Sequence, residues 1–172
     1  MSLSSIRQRP QSAKPRVAVI GGGGWGSNLV RNFAELGAVD AVVDLNLETA
    51  KALTDRYGCR LLTQAEALSD PSIHAVAIAA PAALHHGIAK AVLQAGKHAF
   101  VEKPLSLKVA EAIELCQLAE CLDRRLMVGH LLQYHPVFLE LQRIVREGRL
   151  GRLQYLYSNR LNLGRIRREE DV

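Results

Sequence analysis

From Arg16 onward the chain alternates two periodicities. Val17 to Ile20 is an unbroken apolar run, mostly β-branched, of the kind a strand buried on both faces requires. From Ser27 the period changes, and Leu29, Val30, Phe33 and Leu36 recur at helical spacing until Gly37 stops them. Ala38 to Val43 reads as the next strand. Asn46 is then placed to cap a helix that runs to Tyr57 and closes at Gly58. Leu61 and Leu62 make a short strand, and Thr63 with Glu66 has the spacing of a capping box opening a helix to Leu68. Asp70-Pro71 is a turn, and Ile73 to Ala79 predicts a fourth strand ending at Ala80-Pro81. A helix follows over 83–95, stopped by Gly96, and His98 to Val101 is strand five. Ser106 is placed to cap a helix reaching Leu122, and Leu126 to Val128 is strand six.

Six strands alternating with helices predict an α/β fold, a doubly wound parallel sheet of the Rossmann type in the order 3-2-1-4-5-6. Ligands of such sheets sit beyond the carboxyl ends of the strands. The positions to search are therefore Gly21–Gly26, Asp44–Asn46, Ala80–His86, Glu102–Pro104 and Gly129–Tyr134. Four of the five hold charged or imidazole side chains, which is more than a solubility surface requires.

The first of these turns is the most specific. Gly21, Gly23 and Gly26 fit G-x-G-x-x-G between a strand and a helix, with Gly24 and Trp25 completing the loop. Gly21 permits the tight turn, Gly23 lets a pyrophosphate approach the backbone, and Gly26 lets helix and strand pack closely. The helix N-terminus adds unpaired N–H donors. A lone glycine motif occurs in many α/β folds without a nucleotide. Here, however, the second strand ends on Asp44, 18 residues after Gly26. A carboxylate there accepts hydrogen bonds from the adenosine ribose and repels a 2′-phosphate. With no basic residue from Asp44 to Glu48, the expected cofactor is NAD rather than NADP. Asp44 alone would read as a helix cap; the whole series in register reads as a dinucleotide site.

Composition narrows the class further. With 48% apolar residues the chain is globular, and no apolar run approaches the ~20 residues of a membrane span. Residues 1–15 carry basic side chains but no apolar core, so they predict a disordered arm and not a secretory signal. Cys59, Cys116 and Cys121 are odd in number and lack zinc spacing, which suits a reducing, cytoplasmic setting. The net charge of +5 is concentrated at the two ends. No nucleic-acid module and no interleaved aromatics accompany it, so no nucleic-acid partner is expected. The arginines from Arg143 onward suit a solvated face or an anionic small molecule.

Lys103 is the candidate catalytic residue. It leaves a strand beside Pro104, which stiffens the turn, and Glu102 precedes it. Oxidising an alcohol needs a hydride acceptor and a base for the hydroxyl proton, and a neighbouring cationic nicotinamide favours the neutral, proton-accepting amine. Taken alone, Lys103 would read as a surface lysine paired with Glu102. His85 and His86 open a helix, and His130 and His135 flank an apolar Leu-Leu pair. No H-x-x-x-H spacing points to a metal.

Five ordered motifs together resemble the Gfo/Idh/MocA oxidoreductases. They are Val19-Ile20-Gly21-x-Gly23-x-x-Gly26, Pro81-x-x-x-His85, Ala95-Gly96-Lys97-His98, Glu102-Lys103-Pro104 and Gly148-x-Leu150-Gly151. The resemblance implies a Rossmann domain over 16–132 that binds NAD through the glycine loop, Asp44, Asn46, Ala80, Pro81, His85, Glu102, Lys103 and His130. It implies that 133–172 holds a connecting helix and, over about 153–162, the opening strand of a second α/β domain. Lys103 is then the catalytic or substrate-positioning residue. Within the family, Val128 to Pro136 and Ser158 to Gly164 resemble the branch acting on nucleotide-sugar acids, such as UDP-N-acetylglucosaminuronate 3-dehydrogenases. The substrate contacts that branch implies are Lys103, Tyr134, Asn159, Arg160, Asn162, Arg165 and Arg167, the arginines facing an anionic sugar nucleotide.

The chain departs from the family in having Ala80-Pro81-Ala82 where many members have Thr-Pro-Asn. Family members are also roughly twice as long, so the chain reads as the cofactor-binding part, either as a fragment or as a truncated gene product. The full-length form is expected to be a homo-oligomer. A non-catalytic NAD(H) sensor of the same family, an enzyme acting on another polyol or sugar, and a Rossmann interaction module that binds no nucleotide are the alternatives.

Overall fold

The computed structural model describes residues 14–159 and 161. Six parallel strands form one sheet in the order β3-β2-β1-β4-β5-β6. They are β1 (Val17–Ile20), β2 (Val39–Val43), β3 (Arg60–Leu61), β4 (Ala75–Ile78), β5 (His98–Val101) and β6 (Leu126–Val128). Successive residues of β1 feed opposite faces, as the pleat demands. Val17 and Val19 pack with Val30, Val42, Ala50 and Ala77. Ala18 and Ile20 pack with Val76, Ile78, Leu93, Val101 and Leu115. Helices α1 (Gly24–Glu35) and α2 (Leu47–Tyr57) cover the first face; α3 (Gln64–Ser69), α4 (Ala82–Gln94) and α5 (Val109–Cys121) cover the second. A sheet covered on both sides explains why its strands read as continuous apolar runs.

The caps fall largely as expected. Asn46 accepts from the Thr49 amide at the start of α2, and Thr63 and Glu66 form the reciprocal capping box of α3. Several boundaries differ, and β4 is shorter than the expected Ile73 to Ala79. Helix α1 begins at Gly24, three residues before the apolar periodicity does. Strand β3 lies one residue earlier than Leu61-Leu62. Ser106 does not cap α5: its Oγ accepts from the Lys108 amide at 3.1 Å and donates to Glu111, making a turn ahead of a helix that starts at Val109.

The chain divides into two compact units, ending and resuming at His130 and Leu131. The second holds a short 3-10 turn (Leu131–Tyr134) and α6 (Pro136–Arg146), the connecting helix, capped by His135. Residues 153–159 form no strand, contrary to expectation. A strand exists through its ladder partner, and no described segment pairs with this one. Arg160 and residues 162–172 lie outside the described residues, as does the expected arm up to residue 13.

The amino edge of the sheet is held by polar anchors. Asp40, nearly buried, is shared by Arg16 and Arg60, which ties the start of β1 to β2 and β3. Lys97 is buried and donates to the carbonyls of Asp70 (2.6 Å) and Ile73 (2.8 Å). His98 Nδ1 accepts the Arg125 amide at 2.9 Å. The Ala95-Gly96-Lys97-His98 motif is therefore structural and sits at the opposite edge from the ligand end. Burial first, then the nearby Arg124 and Arg125, push the His98 imidazole below its ordinary 6.5. A group whose folded value is depressed contributes stability that is present above the unfolded value and lost as pH falls through the folded one. Denaturant unfolding at neutral pH and near pH 5 is thus expected to show an acid-side loss that His98→Asn reduces. The asparagine Oδ1 keeps the acceptor but does not titrate.

Candidate functional site

The strand order reverses between β1 and β4, and the turns leaving these two strands abut. Gly21 has φ +95°, and a Cβ there would lie 2.7 Å from the Ala79 backbone. Gly21 N also donates to Val43 O, and Ala79 N to Ile20 O, both at 2.8 Å. A Cβ on Gly26 would fall 1.7 Å from Gly21 O, so only glycine lets α1 start this close to β1. Gly23 and Gly24 are different: a Cβ at either meets nothing within 4 Å. The four glycines therefore divide into two that permit close packing and two that leave an open backbone surface.

That open surface is the start of α1. Gly23 is its N-cap without a side-chain hydrogen bond, and the first turn holds no acidic residue. The leading N–H groups and the positive end of the helix dipole are left for an anion. Trp25 stands half-exposed in the same turn. Gly22, unassigned from the sequence, donates its amide to Asp44 Oδ2, while Asn46 N donates to Oδ1 at 2.7 Å. The carboxylate is thereby pinned beside the glycine loop. Each of its oxygens keeps a lone pair for a ribose hydroxyl.

At the ends of β4 and β5 the geometry revises one expectation. His85, expected among the cofactor contacts, is 2% exposed. Its Nδ1 lies 2.7 Å from Pro104 O and its Nε2 2.8 Å from Ala80 O. Both polar atoms are committed to the backbone, and none is left for a ligand. Its neighbour His86 instead meets Glu114 at 2.8 Å, beside Lys90. Glu102 is 6% exposed, and its Oε1 is buried without a hydrogen-bond partner. It lies against Gly129, where a Cβ would come within 3.0 Å of that oxygen. Lys103 points out of the same turn, exposed to solvent.

One unit thus brings Gly21 to Gly26, Asp44, Asn46, Ala80, Pro81, Glu102, Lys103 and His130 to the carboxyl edge of a single sheet. Tyr134 and Asn159 belong to the second unit, both exposed; Asn159 donates to the Tyr157 hydroxyl at 3.1 Å. Arg160, Asn162, Arg165 and Arg167 fall outside the described residues. Among the described residues no helix is long and apolar enough to cross a membrane.

Comparison with known proteins points to the same fold. The model of the Gfo/Idh/MocA oxidoreductase family, NAD-binding Rossmann fold, matches residues 15–130. A UDP-N-acetylglucosamine 3-dehydrogenase of Acidithiobacillus ferrooxidans is 31% identical over 146 residues, 85% of this chain and 45% of the relative. An inositol 2-dehydrogenase of Renibacterium salmoninarum is 34% identical over 151 residues, 85% of this chain and 46% of the relative. The solved structure of GenD2 from gentamicin A biosynthesis, in complex with NAD, superposes with a TM-score of 0.77 at 32% identity. It covers 83% of this chain and 42% of that one. The chain spans about half the length of the curated relatives it matches.

Proposed function

Because the chain belongs to the Gfo/Idh/MocA oxidoreductase family and carries its NAD-binding Rossmann fold, we propose that it is the cofactor-binding part of an NAD-dependent dehydrogenase. The reaction is oxidation of a secondary hydroxyl on a sugar or polyol ring. The observation that carries this reading is the shared carboxyl edge, where an open glycine surface, a pinned carboxylate and an exposed lysine follow three strands of one sheet. The residues present fit the cofactor. Gly23, Gly24 and Trp25 offer backbone N–H groups to the pyrophosphate, and Asp44 with Asn46 accepts the adenosine ribose. Ala80, Pro81 and His130 would wall the nicotinamide end, and Glu102, whose Oε1 is buried without a partner, would accept a hydrogen bond there.

Bound NAD supplies the hydride acceptor. The chain's own part in the reaction is that of Lys103, whose Nζ takes the substrate hydroxyl proton and orients that oxygen. Within the sugar class we favour C3 of a UDP-N-acetylglucosaminuronate-like substrate. The named 3-dehydrogenase relative supports the sugar nucleotide, and Arg160, Arg165 and Arg167 supply cations for its phosphates and acid. Tyr134, Asn159 and Asn162 complete that set. Turnover by the full-length protein, followed as NADH formation with UDP-N-acetylglucosaminuronate, UDP-N-acetylglucosamine and myo-inositol, tests the reading. The acidic sugar nucleotide is expected to be used best. A preference for inositol would move the substrate to the polyol class, and cofactor binding without turnover on any would make the protein a sensor.

A further inference from the structure

His85 occupies the first turn of α4 and touches two turns that are 19 and 5 residues away in sequence. One leaves β4 through Ala80; the other leaves β5 and carries Lys103 and Pro104. A carbonyl oxygen only accepts, so a neutral ring donates its single N–H to one of these carbonyls and lies against the other, and only the doubly protonated ring donates to both. Burial removes water as an alternative donor. The first residue of each turn is also held by the sheet, Ala79 N donating to Ile20 O at 2.8 Å and Glu102 N to Ile78 O at 2.9 Å, and Leu84 N donates to Pro81 O at 2.9 Å. Pro104 has no N–H with which to anchor its own end of the turn. Among the described residues, His85 is the side chain that hydrogen-bonds to both turns.

We propose that His85 is a positioning residue that couples the turn after β4 to the turn after β5, and so fixes the backbone from which Lys103 reaches its substrate. The coupling stands on the hydrogen bonds; its effect on turnover rests on the dehydrogenase reading. A misplacement of about 1 Å at a reacting group costs ~100-fold in rate, so a loosened Lys103 turn lowers kcat even with the lysine retained.

The test compares His85→Ala and His85→Gln in the full-length protein. The glutamine carboxamide nitrogen can stand in for Nε2 as a donor to Ala80 O, but one nitrogen does not span both carbonyls. Amide exchange is read at Glu102 and Leu84, with Gly21, whose N donates to Val43 O, as the internal reference. His85→Ala is expected to speed exchange at Glu102 and Leu84 together by ~10-fold or more and to leave Gly21 unchanged. It lowers kcat by ~10-fold or more with NADH affinity within about twofold, and glutamine, which keeps one contact and not the bridge, restores protection at Leu84 but neither at Glu102 nor in kcat. In His85→Ala, acceleration at only one turn or equal acceleration at all three amides, or full recovery of kcat with glutamine, would overturn the proposal. Should alanine fail to fold, His85→Asn, too short to reach both carbonyls, takes its place. If the wild-type protein turns over no substrate, the dehydrogenase reading fails, and the exchange pattern still decides the coupling.

Discussion

Gly26→Ala is expected to abolish NADH binding and to lower stability by about 3 kcal/mol or more, the upper range for an overpacked site. The methyl group would stand 1.7 Å from Gly21 O, and the obstacle is backbone rather than a flexible side-chain end. Relief requires α1 to move away from β1, which pulls the fully buried Val30 from its layer and shifts the leading N–H groups of the helix. Gly23→Ala is the informative partner. Its φ of −63° suits alanine and its Cβ meets nothing within 4 Å, so the fold is expected to keep its melting temperature. If a pyrophosphate lies on that open surface, the same methyl weakens NADH by ~10-fold or more. Thermal unfolding beside an NADH titration separates the two. A Gly23→Ala protein that binds NADH as well as wild type would move the phosphates elsewhere.

The second large effect concerns Lys103. In the full-length protein Lys103→Ala is expected to lower kcat by ~100-fold or more, about 2.7 kcal/mol of barrier. Nicotinamide affinity should change little, because the proposed phosphate and ribose contacts come from the turns after β1 and β2. Lys103→Arg keeps the cation but holds its proton at every accessible pH, so as a base it should fail equally. Turnover retained in both variants would make Lys103 structural. Loss in alanine with recovery in arginine would assign it to substrate orientation through charge.

What the sequence could show follows from the range of the forces involved. Strands buried on both faces announce themselves as apolar runs, so β1 and β4 were readable as such, and the alternation of strands and helices from Val17 to Val128 made the sheet order readable. Local hydrogen bonds such as the Asn46 cap and the Thr63–Glu66 box are equally legible, since donor and acceptor lie within three residues. The start of α1 was not. Gly24 and Gly26 are poor helix formers, and they are helical because Gly21 O leaves no room for a side chain at 26. Ser106 had the right chemistry for a cap, but two residues separate it from Lys108, and the helix begins beyond. The roles of His85 and Lys97 depend on distant partners, Pro104 for His85 and Asp70 and Ile73 for Lys97, 19 to 27 residues away. Nothing in the local pattern says that one histidine of the pair at 85 and 86 is a buried backbone clamp and the other a surface partner of Glu114. The strand expected near residue 153 failed for the same reason, because a strand is a relation between two segments.

We propose that the carboxyl edge of this sheet holds NAD, with Asp44 on the adenosine ribose. Asp44 is pinned by the Gly22 and Asn46 amides, and no basic residue stands between it and Glu48 to meet a 2′-phosphate. The most direct measurement is a calorimetric titration of the protein with NADH and, separately, NADPH. One site per chain is predicted, with NADH bound at least ~10-fold more tightly, about 1.4 kcal/mol. No binding of either, or NADPH bound as tightly as NADH, would contradict the claim.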